Sequence, residues 1–299
     1  MTRKIQVIIN PGSGQPKPVL HTINQIFRPA GVEWDLALTH KSGDAERFAR
    51  DAVKEGVDVV AAYGGDGTVM EVARGVMGSN VPMAILPGGT ANLMSVEIGI
   101  PRDLAKAAKI AANENSPVKS IDVGEINGSY FLLRVGLGIA AQKVEIADRD
   151  MKDKYGLMAY SIAALQAMKD AVPVNYKFIL DGEEINAEGV TCLVDNAGNF
   201  GVSGFTISKD ISIYDGLLDV ILIRDISFRT AVNVGRSVVK SEPTSEAVNH
   251  WQAKEIVIEA DPIQTIQVDG EIGRHTPISV KVVPAAVPVL TAPTQEAPG

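Results

Sequence analysis

Apolar residues follow two different rhythms along this chain, and the change between them divides it. Up to about residue 115, short unbroken apolar runs at 4–9, 57–62 and 83–86 suit strands buried on both faces. Residues 35–38 read as another strand. Between the runs, residues 22–27, the stretch opened by Ser42, Gly43 and Asp44 and carried by Phe48, Ala52 and Val53, and the series Val69, Met70, Val72, Ala73, Val76 read as helices. Such alternation predicts a doubly wound parallel sheet, an α/β domain. After Ser116-Pro117 the texture turns to short β runs, with Asn127-Gly128 and Asp181-Gly182 as the clearest two-residue hairpin turns. This half reads as a β-sandwich domain, interrupted by helical stretches around 140–147, 157–168 and 228–239. The expected organisation is an α/β domain over 1–117, a β-rich domain over 118–284, and a Pro-, Ala- and Thr-rich tail over 285–299 whose first part returns to the first domain.

Three of the predicted strands run into turns too rich in glycine and polar residues to be packing elements. They are Asn10-Pro11-Gly12-Ser13-Gly14, Gly64-Gly65-Asp66-Gly67-Thr68 and Pro87-Gly88-Gly89-Thr90-Ala91-Asn92. Glycine lets backbone N–H groups approach a phosphate, and a helix N-terminus behind the turn favours negative charge. Taken alone, Asp66-Gly67 could equally be a tight turn chosen for its dihedrals. Three such turns at one carboxyl edge of a parallel sheet favour a nucleotide crevice, because open α/β sheets bind ligands there.

These three segments, the second continuing through Val69, Met70, Glu71, Val72, Ala73, Arg74 and Gly75, resemble the signatures of diacylglycerol-kinase and sphingosine-kinase type lipid kinases, especially the small bacterial members. The similarity extends through Ile121-Asp122-Val123-Gly124, Tyr214-Asp215-Gly216-Leu217-Leu218-Asp219 and Val268-Asp269-Gly270-Glu271. The glycine-aspartate-glycine piece alone is shared with NAD kinases. What the resemblance implies is an ATP- and Mg²⁺-dependent lipid kinase, with a nucleotide domain, a β-rich lipid-substrate domain and the active site in the cleft between them. It further implies a nucleotide site of Asn10, Pro11, Gly12, Ser13, Gly14, Thr39, Gly65, Asp66, Gly67, Thr68, Val69, Met70, Glu71 and Thr90. Asp66 would hold the metal or orient the acceptor, and Asp122 would face the acceptor lipid. A salt-bridged core aspartate is the other reading of Asp122.

In Asp269-Gly270-Glu271, alternation in an extended segment would put both carboxylates on one face. Either could accept the proton of an attacking alcohol, and the family match favours Glu271 as catalytic base with Asp269 assisting. The competing reading is a two-residue hairpin with a solvated glutamate. Ser212, Asp215 and the carbonyl of Leu217 offer hard oxygen ligands for a second, structural cation such as Mg²⁺ or Ca²⁺. An ordinary turn before a strand is the alternative there. The stripe Leu157, Tyr160, Ala164, Leu165, Met168 reads as a core face first and as an acyl groove second, with Lys152 and Lys154 beside it for lipid phosphates.

Composition narrows the field. Over 299 residues, 28 Lys and Arg against 36 Asp and Glu give a formal net charge of −8, which excludes a general nucleic-acid binder. Single Cys192 allows no intrachain disulfide and fits a reducing compartment, and the 4 scattered histidines lack ligand spacing. No apolar stretch reaches the roughly 20 residues of a bilayer span. The expected setting is cytoplasmic and peripheral at a membrane surface, where the lipid is collected, with a homodimer left open. Leu93-Met94-Ser95-Val96 replaces the Asp-Phe-Ala-Arg that many bacterial diacylglycerol kinases carry, and Gly201-Val202-Ser203-Gly204 dilutes a glycine triplet. Two rivals stand beside the lipid kinase: a kinase of a soluble alcohol or dinucleotide, and a non-catalytic nucleotide-binding regulator.

Overall fold

The computed structural model describes residues 2–14, 18–138, 172–199, 210–224 and 248–293. The helical stretches expected at 140–147, 157–168 and 228–239 lie outside these residues, as do Lys152, Lys154 and 201–204. Internal contacts divide the chain into two units, Met1–Ile121 with Ala285–Gly299, and Asp122–Pro284.

In the first unit β1 (Lys4–Ile9), α1 (Val19–Phe27), β2 (Glu33–Leu38), α2 (Asp44–Glu55), β3 (Val59–Gly64), α3 (Asp66–Val76), β4 (Met83–Pro87), α4 (Leu93–Glu97) and α5 (Leu104–Ala112) follow one another. The four strands are parallel in the order β2-β1-β3-β4. Every residue of β3 and β4 is buried, which is why their sequences are continuous apolar runs rather than alternating ones. Ile23 and Phe27 bury one stripe of α1, with Phe27 edge-on to Trp34 at 5.9 Å between ring centroids. The chain leaves β1 for β2 on one side and returns to β3 on the other, so a topological switch point opens at the carboxyl ends of β1 and β3.

The second unit contains most of β5 (Val118–Ile126), then β6 (Ser129–Phe131), β7 (Arg134–Gly138), β8 (Val174–Leu180), β9 (Glu183–Gly189), β10 (Thr191–Asp195), β11 (Leu218–Ile223), β12 (Val248–Ala253), β13 (Glu255–Asp261), β14 (Thr265–Val268), β15 (Glu271–His275) and the first part of β16 (Ile278–Leu290). One antiparallel sheet runs β12-β11-β10-β7-β14-β15, and β16-β13-β8-β9 form the other layer. Between them lies a core that includes Val135, Leu137, Val194, Val220, Phe178, Ile258 and Val280. Phe178 stacks on Tyr176 and tilts against Trp251, at 5.7 and 5.5 Å. Each such side chain fully buried contributes about 1.5–3 kcal/mol. Cys192 is part of this core, and burial pushes its thiol pKa up. The far end of β16 belongs to the first unit, where Val289 pairs in parallel with Met83 of β4.

Asn127-Gly128 and Asp181-Gly182 form the expected tight turns, with φ of 45° and 81°, and 50° and 91°. A third turn of the same kind corrects one expectation. Asp269 and Gly270 have φ of 47° and 97°, and Val268 pairs with Glu271 across β14 and β15. The segment 269–271 is therefore a hairpin turn and not extended. Two positive-φ residues match the twist of the flanking strands, and the two carboxylates do not share a strand face.

Candidate active site

The three glycine turns all leave the carboxyl ends of parallel strands, and the structure binds them to one another. The Asn10 N–H donates to the Tyr63 carbonyl at 3.0 Å, and the Gly88 and Gly89 N–H groups both donate to the Gly64 carbonyl, at 2.9 and 3.1 Å. Asn10 closes its own turn by accepting the Gly12 N–H on Oδ1 at 3.0 Å, and its Nδ2 donates to Thr68 Oγ1 at 3.3 Å. Thr39, at the end of β2, is buried and donates its N–H to the Ile9 carbonyl at 2.9 Å. Only glycine fits the contact lines between turns. A β-carbon on Gly89 would come 2.6 Å from Gly65 Cα, and Gly14 meets Gly88 as closely.

Behind the second turn α3 starts at Asp66, after an extended Gly65. The helix leaves the N–H groups of Asp66, Gly67 and Thr68 without an intrahelical carbonyl partner, at the positive end of its dipole. Gly67 is exposed, and nothing lies within 4 Å of where its β-carbon would be. Protein packing therefore does not require glycine here, whereas an anion approaching the helix end does. Asp66 Oδ1 accepts the Met94 N–H at 3.1 Å, tying α3 to the start of α4. Asn92 holds the third turn: at φ 51° its side chain accepts the Gly89 N–H at 2.9 Å and donates to the Gly89 carbonyl at 2.6 Å. Asn92 is in the motif, but its role is visible only in three dimensions. Thr90 stands exposed at the tip of the turn, and Pro11 is exposed on the first one.

Other members of the expected nucleotide set have different occupations. Val69 and Met70 bury their side chains in the core, and the Val69 N–H is used by the Gly65 carbonyl. Glu71 holds the neighbouring helix. Its carboxylate accepts the Gly43 and Ala45 N–H groups at 2.9 and 3.0 Å and the Ser42 hydroxyl at 3.1 Å. Helix α2 begins after Gly43, which has no side chain to cap it, so a carboxylate from α3 supplies the missing acceptor at its positive end.

In the second unit Asp269 turns its side chain back onto the chain. Oδ1 accepts the Leu133 and Arg134 N–H groups, both at 2.9 Å, and Oδ2 accepts the Leu132 N–H at 2.8 Å. Burial raises its pKa while these three bonds pull the other way. With both oxygens so engaged, the Asp269 carboxylate ties the hairpin to the 132–134 segment. Glu271, at the start of β15, is exposed. Asp122 is 2% exposed and accepts the Gly216 N–H on Oδ2 at 2.7 Å, which anchors the 212–217 loop. In that loop the Tyr214 N–H donates to Ser212 Oγ at 3.2 Å, and the Leu217 N–H to Asp215 Oδ1 at 3.0 Å. Partial burial, and then the negative charges of Asp219 and Asp122, push the Asp215 pKa up against the pull of that N–H. Among the described residues no three His, Cys, Asp or Glu side chains converge as metal ligands. The nearby Asp219 is buried against His250 Nε2 at 2.6 Å.

Comparison with known proteins follows the same division. The Diacylglycerol kinase catalytic domain matches residues 4–126, and the YegS C-terminal NAD kinase beta sandwich-like domain matches residues 134–291. A "Putative lipid kinase" of Staphylococcus haemolyticus is 31% identical over 266 residues, 86% of this chain and 85% of that protein. The chain belongs to the diacylglycerol-kinase-type lipid kinase family. A second family member, a "Putative lipid kinase" of Staphylococcus aureus strain MRSA252, is 29% identical over 300 residues, 95% of this chain and 92% of its own length. A crystal structure described as a putative diacylglycerol kinase from Bacillus anthracis superposes with a TM-score of 0.79 at 28% identity, covering 97% of this chain and 98% of that one. The fold is thus that of the family, an α/β catalytic domain followed by a β-sandwich, and the family is one of phosphotransferases. Among the described residues no helix is long and apolar enough to cross a membrane.

Proposed function

We propose that this chain transfers the γ-phosphate of ATP to the hydroxyl of a diacylglycerol-like lipid at a membrane surface. The observation that carries the reading is the joined set of three glycine turns at the switch point, with the bare N-terminus of α3 and an unobstructed Gly67 in its midst. Phosphoryl transfer asks a protein for positioning and charge stabilisation more than for covalent chemistry, and backbone N–H groups held rigidly at a helix end supply both.

Residue roles follow from the geometry and the family together. The turns at 10–14 and 65–68, with Thr39 and Thr90, hold the polyphosphate. Asp66 presents a hard carboxylate beside that site and suits Mg²⁺, which when bound neutralises the phosphate charge. Asp269 locks the turn that carries Glu271, and Glu271 takes the proton of the acceptor hydroxyl. A second cation at Ser212, Asp215 and the Leu217 carbonyl is supported by the like charges gathered there and by an all-oxygen donor set. Asp122 then shapes that loop rather than meeting the lipid. The presence of Asp66 and Glu271, one at the phosphate turns and the other exposed, favours an enzyme over a non-catalytic regulator.

The test is labelled ATP with Mg²⁺ against vesicles carrying diacylglycerol, sphingoid base or phosphatidylglycerol, alongside NAD and glycerol as soluble acceptors. Label in a chloroform-soluble product is the expected result. Transfer confined to a soluble acceptor would overturn the lipid assignment, and absence of transfer to any acceptor would overturn the kinase.

A further inference from the structure

Strand β6 pairs with β5 in the sheet that contains β16, and β7 lies in the opposite sheet. The chain therefore crosses between the layers at Leu132 and Leu133, and both are buried. Buried main-chain N–H and C=O groups must find partners even where no ladder supplies them. Here the two N–H groups go to the Asp269 carboxylate, at 2.8 and 2.9 Å. The two carbonyls go to Asn196, just past the end of β10. Its Nδ2 donates to the Leu132 carbonyl at 2.7 Å, and its main-chain N–H donates to the Leu133 carbonyl at 2.9 Å.

The same Nδ2 donates a second bond, to the Asp122 carbonyl at 3.0 Å. Asp122 in turn accepts the Gly216 N–H on its carboxylate and gives its own N–H to the Ile213 carbonyl at 2.8 Å. One amide group thus joins the 212–217 loop, through Asp122, to the Glu271 hairpin, through Leu132 and Asp269. Asn196 is fully buried, and its Oδ1 has no hydrogen-bond partner among the described residues. Turning the amide over would set that oxygen against two carbonyls, so the two donor bonds fix its orientation. Among side chains this short, only an amide carries two N–H donors on one atom.

We propose that Asn196 is a positioning residue for phosphoryl transfer: it acts through the 132–134 crossover and Asp269 on Glu271, and it ties the placement of Glu271 to that of the 212–217 loop. The inference rests on the assignment of Glu271 as the base. A base must stay within hydrogen-bond reach of the acceptor hydroxyl, and a misplacement of about 1 Å costs on the order of 10²-fold in rate. The phosphate turns belong to the other unit, so nucleotide should bind Asn196→Ala as it binds wild type.

Asn196→Ala tests the proposal, with Val280→Ala in the same sandwich core as the control for lost stability. Hydrogen exchange in Asn196→Ala should quicken at the Leu132, Leu133 and Gly216 amides and stay slow in the ladder between β8 and β13. Turnover should fall about 10²-fold with the KM for ATP unchanged, whereas Val280→Ala, assayed well below its melting temperature, should turn over like wild type. In a Glu271→Gln background Asn196→Ala should cost nothing more, because the group it positions is gone. Unchanged exchange at those amides, full turnover in Asn196→Ala, an equal loss in Val280→Ala, or a loss that multiplies with that of Glu271→Gln overturns the proposal. If Asn196→Ala does not fold, Asn196→Ser, which keeps one donor, is read by the same criteria. A wild type that transfers phosphate to no acceptor removes the kinase reading and this role with it, an outcome distinct from an active wild type with an equally active Asn196→Ala.

Discussion

The carbonyl oxygen of Gly88 stands 2.0 Å from where a β-carbon on Gly14 would be. The first and third turns therefore touch through bare backbone, and Gly14 also has φ 73°, a conformation that costs a side-chain-bearing residue roughly 1–2 kcal/mol. Gly14→Ala must displace one turn from the other. The variant should melt below wild type, and ATP with Mg²⁺ should no longer raise its melting temperature. An ATP-dependent shift equal to that of wild type would show that the contact is irrelevant to binding.

Gly67→Ala separates the fold from the ligand. Its β-carbon meets nothing within 4 Å, and exchanging glycine for alanine where the backbone allows it stabilises by about 0.4–1 kcal/mol. The free protein should be at least as stable as wild type, while ATP stabilisation falls, because the methyl group occupies the approach to the helix end. Thermal melts with and without nucleotide measure both quantities.

Asp269 and Glu271, two residues apart, should fail in different ways. Asp269→Asn can set an NH₂ group against backbone N–H donors and should lose about 1–3 kcal/mol of stability. Glu271→Gln should leave the melting temperature alone and cut turnover by about 10²–10⁴-fold. Chemical denaturation and steady-state kinetics on the same preparations check the pair; a fully active Glu271→Gln would remove the base assignment.

His250 makes stability depend on pH. Its hydrogen bond to Asp219 raises the imidazole pKa above 6.5 in the folded state, and the charges of Asp219, Asp210 and Asp195 add to this against the opposing effect of burial. A raised pKa means that the stabilisation is fully present below the unfolded value of 6.5 and is lost as pH rises through the folded value. Wild-type melting temperature should therefore drop from pH 6 into the alkaline range more steeply than that of His250→Asn. Parallel curves for the two proteins would show that this pair carries no pH dependence.

Local signals in the sequence were reliable, and distant ones were not. The three glycine turns were legible because each follows an unbroken apolar run, and the hairpins at Asn127 and Asp181 because Asn-Gly and Asp-Gly favour positive φ. Asp269-Gly270 carried the same signal. There the positive φ of Asp269 and Gly270 closes a two-residue turn, and an extended segment with both carboxylates on one face does not form. Glu71 could not be read as a cap for α2, because its partners Ser42, Gly43 and Ala45 lie 26 to 29 positions away. The partners of Asp269 lie 135 to 137 positions away. Such bonds are set by how helices and strands meet, and nothing in the neighbouring residues encodes them.

Strand β16 has a consequence for the order of events during synthesis. Its pairing with β4 comes from Val289, which leaves the ribosome long after Met83. Until then the flank of Met83 awaits its partner, and the nascent first unit must persist with that side of its sheet open or delay its final closure. A fragment released at Ile121 would reproduce this waiting state permanently, because the first unit is not one continuous stretch of sequence.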